Sequence, residues 1–515
     1  MSAIRLKLPA IAKTAQLINR MPKPVLVWAQ TVLCALTLAA ALLARRIPPF
    51  DLKLALGALG ICLAGVVVSR WHLRVFPTKG VEPAIAERIV WFSGLLTVFG
   101  LQIGAQAIGA SPSPSHEVSP LAAAPLVSLG MLVSGLLGPA KGIFTVGMVA
   151  AAAVGAGIAD PPLVAGATLA AWIGAHAVNP MRQRNDLFRA TYVTSLAYAA
   201  MAMVTALLVG RTWAESFWFA GWGLAGGVGA TALFWLAVAA FEKAFGVVSD
   251  WSLLEHCNPD QPLLRKLMIQ APGTYAHSVM VGNLADQAAP LIGANALLCR
   301  AMAYYHDIGK MRRPEFFIEN KLADNPHDRL NPTLSAKIIA AHVRDGLKMA
   351  DEAGLPNAIK AGIAEHHGTS LISYFYHLHS QETGVSDPIL ELHFRYPGPR
   401  PHSKETAVLM LADRVEAATR TMPSASPGRL RALVWEIVQD VRDDGQLDDS
   451  ALNFRDLQTI VDSFVNSLTA LRHERIDYPG SSLEGLDEET SYTDRQSFDA
   501  PSENLSDQKS LNRDA

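Results

Sequence analysis

Seven side chains in the C-terminal half of this chain have the types and the surroundings to cage a pair of metal ions. They are His277, His306 and Asp307 within His306-Asp307-Ile308-Gly309-Lys310, then His342, the pair His366-His367, and Asp413. Twelve of the fifteen histidines follow residue 250, so the enrichment is regional rather than a property of the whole chain. Neutral imidazoles and carboxylates hold divalent cations, and two such cations close together can activate water against a phosphodiester. A lone histidine on a helix is ordinarily a surface or core residue. Here, however, His306-Asp307 follows the apolar run 301–305, His366-His367 follows the apolar helical pattern 359–364, and Asp413 directly follows the apolar run 408–412. Strongly hydrated groups beside buried surface are costly unless they coordinate or hydrogen-bond something. Three such interruptions point to one buried polar centre. Lys310 lies four residues after His306 and three after Asp307, so on a helix it shares their face. There it could bind a phosphate oxygen or the charge that develops in the transition state; the alternative is a solvated lysine at a helix end.

The elements that must position these groups divide the chain in two. Half of the 515 residues are hydrophobic and 17% are charged, too apolar for an ordinary soluble protein, so a membrane part is expected. The net charge of −2 argues against a generally basic binder of nucleic-acid polymers. Four scattered cysteines (Cys34, Cys62, Cys257 and Cys299) form neither a disulfide framework nor a zinc motif. Apolar stretches at 25–44, 54–69, 89–110, 121–138, 142–159, 162–180, 190–210 and 216–241 predict seven or eight spans, with the weakest boundaries at Gly138-Pro139 and 160–162. Arg5, Lys7, Lys13, Arg20 and Lys23 place the N-terminus inside, and with eight spans the C-terminal half is cytoplasmic. Arg45, Arg46 and Lys53 dissent from this scheme. After residue 243 the pattern becomes polar and helical without strand-like alternation. The expected architecture is all-α: a basic N-terminus (1–24), a transmembrane helical bundle (25–242), a linker helix (243–270), a cytoplasmic all-helical domain (271–480) and a disordered tail (481–515). One helix is legible at both ends, with Asn331 as N-cap, Pro332 in the first turn and Gly354 as the stop.

At these residues the chain resembles the HD phosphohydrolase superfamily, and more closely its seven-transmembrane HD family of PgpH-type cyclic-di-AMP phosphodiesterases. The resemblance rests on a joint run of motifs. Pro272-Gly273-Thr274-Tyr275-Ala276-His277-Ser278 is followed by Tyr304-Tyr305-His306-Asp307-Ile308-Gly309-Lys310, Phe316-Phe317-Ile318-Glu319-Asn320 and Asn325-Pro326-His327-Asp328. Glu365-His366-His367-Gly368-Thr369-Ser370, Tyr396-Pro397-Gly398-Pro399, Ser403-Lys404-Glu405 and Leu411-Ala412-Asp413-Arg414-Val415-Glu416-Ala417-Ala418 complete it. The likeness covers about 245–480 strongly and the membrane half more loosely. It implies a dinuclear site in which Asp307 bridges, with His277, His306 and Asp413 on one cation and His342, His366 and His367 on the other. It also implies a membrane-anchored enzyme that opens cyclic-di-AMP to linear pApA by a two-metal-activated hydroxide. Ala276 and His402 depart mildly from the family pattern, and residues 45–53 are too short for the large extracellular domain usual there.

Histidine-rich ligation suits two Mn or Fe ions better than Mg. Arg312, Arg313, Lys321, Arg344 and Lys404 could rim the site for an anion, or be ordinary solvated faces. Tyr374, Phe375 and Tyr376 could stack on a base, or pack in a core. Residues 250–268 could transmit motion or pair two protomers as a homodimer. The expected partners are therefore a cyclic dinucleotide, the lipid bilayer and a second copy. Cyclic-di-GMP or another nucleotide remains an alternative substrate, and a receptor that only binds nucleotide is the alternative from another class.

Overall fold

The computed structural model describes residues 52–471 apart from 77–80, 82, 110–118, 157, 180, 182, 321–324, 385–387, 421 and 423–425. The basic lead, the expected span at 25–44, Cys34, residues 45–51, the loop at 111–118, Arg182, Lys321 and the tail lie outside the described residues. Among the described residues no strand occurs, only an isolated bridge between Leu371 and Arg395, so the all-α expectation holds.

The apolar half forms α1 (Leu52–Val75), α2 (Pro83–Gly109), α3 (Ala124–Leu137), α4 (Pro139–Gly155), α5 (Pro161–Ala177), α6 (Arg184–Leu208) and α7 (Trp213–Phe245). Among the described residues, four stretches are long and apolar enough to cross a membrane: Pro83–Ala107, Pro120–Leu137, Asn185–Leu208 and Trp213–Phe245. Both weak boundaries become helix junctions, because Gly138 (φ +95°) separates α3 from α4, and prolines open α4 and α5 in their first turns. α7 starts at a reciprocal cap, in which Glu215 N–H donates to Thr212 Oγ1 and Thr212 N–H to Glu215 Oε2. It stops at Gly246, whose φ of +65° suits a residue without Cβ.

That stop corrects the expectation of one linker helix over 243–270. Two short helices follow instead, α8 (Asp250–His256) and α9 (Pro262–Gln270), because Pro259 and Pro262 cannot continue a helix from α8. Trp251 packs edge-on against Trp235 of α7 at 5.4 Å, while Leu253, Leu264 and Leu267 enter the core of the second half.

The second half continues with α10 (Pro272–Ala288), α11 (Ala296–Tyr305), a 3₁₀ turn (Ile308–Arg312), α12 (Pro332–Glu352), α13 (Asn357–Glu365), α14 (Ser373–Thr383), α15 (Lys404–Thr419), α16 (Pro427–Asp443) and α17 (Phe454–Leu471). α12 has the ends its sequence predicts: Asn331 Oδ1 accepts from Leu334 N at 2.8 Å, and Gly354 has φ +69°. α15 runs through the centre, packed on α10, α11, α13 and α16, with residues 405–413 buried throughout. A cavity of about 680 Å³ lies at the seam between the two halves. Gly138, Phe245 and Ser249 wall it on one side; Leu298, Ala361 and His402 wall it on the other.

Candidate metal centre

The chemistry-bearing residues sit where helices end or cross. α11 stops at Tyr305, so His306 and Asp307 leave the helix just before the 3₁₀ turn that packs on α12. Lys310 therefore follows on a 3₁₀ turn rather than on a continuing α-helix, which corrects the expected spacing. Gly309 makes this possible: a Cβ there would lie 1.9 Å from the carbonyl oxygen of His342. α12 carries His342, α13 ends at Glu365 and releases His366-His367, α10 carries His277, and α15 carries Asp413. His277, His306, Asp307, His342, His366 and Asp413 are buried, and His367 is one-fifth exposed.

All seven groups converge. Asp307 Oδ2 lies 3.0 Å from His306 Nε2 and 3.6 Å from His277 Nε2. Its other oxygen, Oδ1, lies 3.3 Å from His342 Nε2 and 3.6 Å from His366 Nε2. Asp413 Oδ1 is 3.0 Å from His277 Nε2 and 3.8 Å from His306 Nε2, while its Oδ2 is 3.8 Å from His367 Nδ1. Two donor groups result, Asp307 with His342, His366 and His367, and Asp307 with His277 and His306. Asp307 belongs to both.

The outer ring nitrogens fix the tautomers. His306 Nδ1 lies 2.7 Å from the Ala303 carbonyl, His342 Nδ1 2.6 Å from Ile339, and His366 Nδ1 2.9 Å from Ile363. A carbonyl only accepts, so each Nδ1 donates and each neutral ring turns an Nε2 lone pair inward. His342 and His366 then bring two such lone pairs within 3.2 Å of each other. His306 Nε2 and Asp307 Oδ1 are buried without a hydrogen bond of proper geometry, despite their close neighbours. Converging lone pairs and orphaned acceptors repel one another unless a cation sits among them, so the residues fit divalent metal ions.

The electrostatics show how strongly these buried groups act on one another. Burial lowers the pKa of His306, but the charge of Asp307 and the contacts with Asp413 outweigh it and lift it to about 10. Burial pulls His342 down to about 4 and holds His367 well below its ordinary value. Burial pushes the Asp307 and Asp413 carboxyls up, yet the neighbouring imidazoles, with Lys310 beside Asp307, keep both well below the usual range. Lys310 Nζ sits 2.8 Å from Asp307 Oδ2 and 2.7 Å from Glu319 Oε1. Glu319 is fixed in turn, 3.1 Å from Thr274 Oγ1, because Gly273 lets that loop approach where a Cβ would be 1.8 Å from the Glu319 carbonyl.

A cavity of about 740 Å³ opens over the cluster, and His277, His342, His367, Asp413 and Lys310 face it. Its basic lining is Lys310, Arg414 and Arg420. The described members of the expected rim do not line it: Arg313 and Arg344 face Asp345, Lys404 is held by Asp456 and the Ile292 carbonyl, and Arg312 lies elsewhere. Sequence reasoning missed Arg414 and Arg420, although Arg414 directly follows Asp413 on α15 and Arg420, at the C-cap, lies two turns beyond Asp413 on the same face. Of the three adjacent aromatics, Phe375 and Tyr376 pack in a small core, whereas Tyr374 is 68% exposed and lines the cavity with Ile318. Tyr396 stacks on His367 with ring centres 4.2 Å apart. Ala276 is exposed beside the buried His277, and so lies outside the cluster.

Comparison with known proteins gives two family matches. The HD domain pattern matches residues 274–418, and the pattern described as a 7TM receptor with intracellular HD hydrolase matches 52–249. Cyclic-di-AMP phosphodiesterase PgpH of Bacillus subtilis is 48% identical over 240 residues, 46% of this chain and 33% of that protein. The PgpH of Listeria monocytogenes is 40% identical over 260 residues, 50% of this chain and 36% of that protein. This chain thus spans about a third of the length of these relatives. The crystal structure of the L. monocytogenes PgpH HD domain in complex with cyclic-di-AMP is 40% identical, with a TM-score of 0.40, covering 42% of this chain and 99% of that one.

Proposed function

We propose that this chain, which matches the HD domain pattern and the pattern of a 7TM receptor with intracellular HD hydrolase, is a membrane-anchored phosphodiesterase that opens cyclic-di-AMP to linear pApA. The observation that carries this reading is the division of Asp307, one oxygen toward His277 and His306, the other toward His342 and His366. Asp307, His277, His306 and Asp413 would hold one divalent cation, and Asp307, His342, His366 and His367 a second. When bound, the pair supplies Lewis acidity, lowering the pKa of water and neutralising phosphoryl charge. Nitrogen-rich donors favour Mn or Fe over Mg.

The chain's own residues do the rest. Lys310, itself held by Glu319, pins Asp307 Oδ2 from outside, so the two carboxylate oxygens keep their separate orientations. Lys310, Arg414 and Arg420 line the cavity with positive charge for an anionic phosphodiester. Tyr374 and Ile318 offer apolar surface at the mouth, where a base can stack while its phosphate reaches the cluster. The polar half would face the cytoplasm, as the Lys and Arg distribution favours. The apolar half would sit in the plasma or inner membrane, and the exposed Ile269 and Met268 on α9 offer a face to a second copy.

The test is turnover by the full chain in detergent, with cyclic-di-AMP and cyclic-di-GMP in parallel and Mn, Fe or Mg supplied. Linear pApA from cyclic-di-AMP, lost in Asp307→Ala while the fold persists, is the expected result. Preferential opening of cyclic-di-GMP would reassign the substrate. Tight nucleotide binding with no metal-dependent cleavage would replace the enzyme by a receptor.

A further inference from the structure

The two halves of the cluster are not supported alike. In the half formed by His342, His366 and His367, the two fully buried rings rest on neutral backbone carbonyls of Ile339 and Ile363. His306, in the other half, rests on the Ala303 carbonyl. His277 is different: its Nδ1 lies 2.6 Å from Glu416 Oε2, contributed by α15 across the α10–α15 contact. Arg420, one turn further along α15, holds both Glu416 oxygens at 2.9 Å. Its Nη2 also lies 3.3 Å from His277 Nδ1. A ring nitrogen that donates to a carboxylate has no lone pair left for a second donor, so the shorter, charge-assisted contact with Glu416 sets the tautomer.

We propose that Glu416 is a positioning residue that makes the His277-containing half of the centre the tighter cation site. A carboxylate accepting from the outer ring nitrogen increases the electron density that the inner nitrogen donates to a metal and locks the ring against rotation. A backbone carbonyl does the second and little of the first. Arg420 keeps Glu416 turned toward His277 and at the same time lines the substrate cavity, so the support is anchored at the mouth rather than in the core. The inference rests on the dinuclear reading given above, and goes beyond it by ranking the two positions and naming the residue responsible.

The experiment uses the full chain in detergent, loaded with Mn²⁺ and dialysed against rising chelator. Metal per chain is read by elemental analysis, and the state of the pair by electron paramagnetic resonance, which separates a coupled pair from an isolated ion. Wild-type protein is expected to lose the cation of the His342 half first, leaving one tightly held ion with an uncoupled signal. Glu416→Gln keeps the shape and removes the charge; its last ion is expected to leave at about tenfold lower chelator strength. Arg420→Met loosens the clamp without touching the carboxylate, and a smaller shift of that same ion is expected, which keeps the question open to test if Glu416→Gln folds poorly. Unchanged release of the last ion in both variants would overturn the inference. Wild-type protein that never binds two ions would overturn the dinuclear reading itself, and this inference with it.

Discussion

Asp307 is the residue on which both halves of the cluster depend, and Lys310 is the residue that aims it. Replacing Lys310 by Met leaves Asp307 and Glu319 facing each other without their shared cation. The expected result is a loss of about 10²–10³ in kcat, checked by steady-state hydrolysis of cyclic-di-AMP; turnover within threefold of wild type would show that Lys310 is dispensable. The adjacent aromatics make a sharper contrast. Tyr374→Ala removes an exposed ring at the cavity mouth and should raise KM about tenfold through lost stacking, with kcat and Tm unchanged. Phe375→Ala, whose ring meets that of Tyr374 edge-on at 5.1 Å but is buried in the small core, should instead destabilise the fold by about 3 kcal/mol, measured by denaturant unfolding. If the two variants behave alike, the base does not stack on Tyr374. The three aromatics were indistinguishable in sequence because adjacent residues on a helix point about a third of a turn apart, and only the packing of α14 decides which one faces outward. The basic rim failed for the same reason: a charge in sequence says nothing of the face it occupies, and only the packing of α15 brings Arg414 and Arg420 to the cavity.

At the scale of elements, the site is built from close crossings. Gly309 against α12 is the tightest of them near Asp307. Gly309→Ala is expected to separate the 3₁₀ turn from α12, cost about 1–3 kcal/mol or more of stability and lower metal content; calorimetry and elemental analysis on the same preparation check both. A variant with full metal content would mean that the crossing tolerates a methyl group. Asn331→Ala should cost about 1 kcal/mol, a modest fall in Tm with metal content intact, because the cap lies about three turns of α12 away from His342. Helix ends of this kind were legible, since Asn331, Pro332 and Gly354 act locally through caps and backbone geometry. The 3₁₀ turn at Lys310 and the break between α8 and α9 were less so. The first is imposed by the approach of α12, a tertiary contact. The second was in plain view as Pro259 and Pro262, and the apolar spacing of Leu253, Leu264 and Leu267 masked it by continuing toward the same core from two helices.

At the scale of the whole molecule, composition separates a half that belongs in lipid from a half that does chemistry, and the break at Gly246 marks where one stops. Apolar side chains such as Leu208, Leu236 and Phe217 are exposed on α6 and α7, as surfaces that meet acyl chains must be. The chain is therefore expected to remain in the pellet when membranes are washed with alkaline carbonate, and release by that wash would contradict membrane insertion. The seam between the halves has a further consequence. Its wall on the catalytic side is made of Leu298 on α11, Ala361 on α13 and His402 just before α15, and these same three helices deliver His306, His366 and Asp413 at or toward their opposite ends. His402 also grips Glu365 at 2.7 Å, one residue before His366. α11 and α13 are rods of only about 15 Å, too short and too well packed to bend. Whatever wedges or squeezes that interface from the lipid side would push on three stiff levers at once, and the spacing between the donor atoms would register the strain.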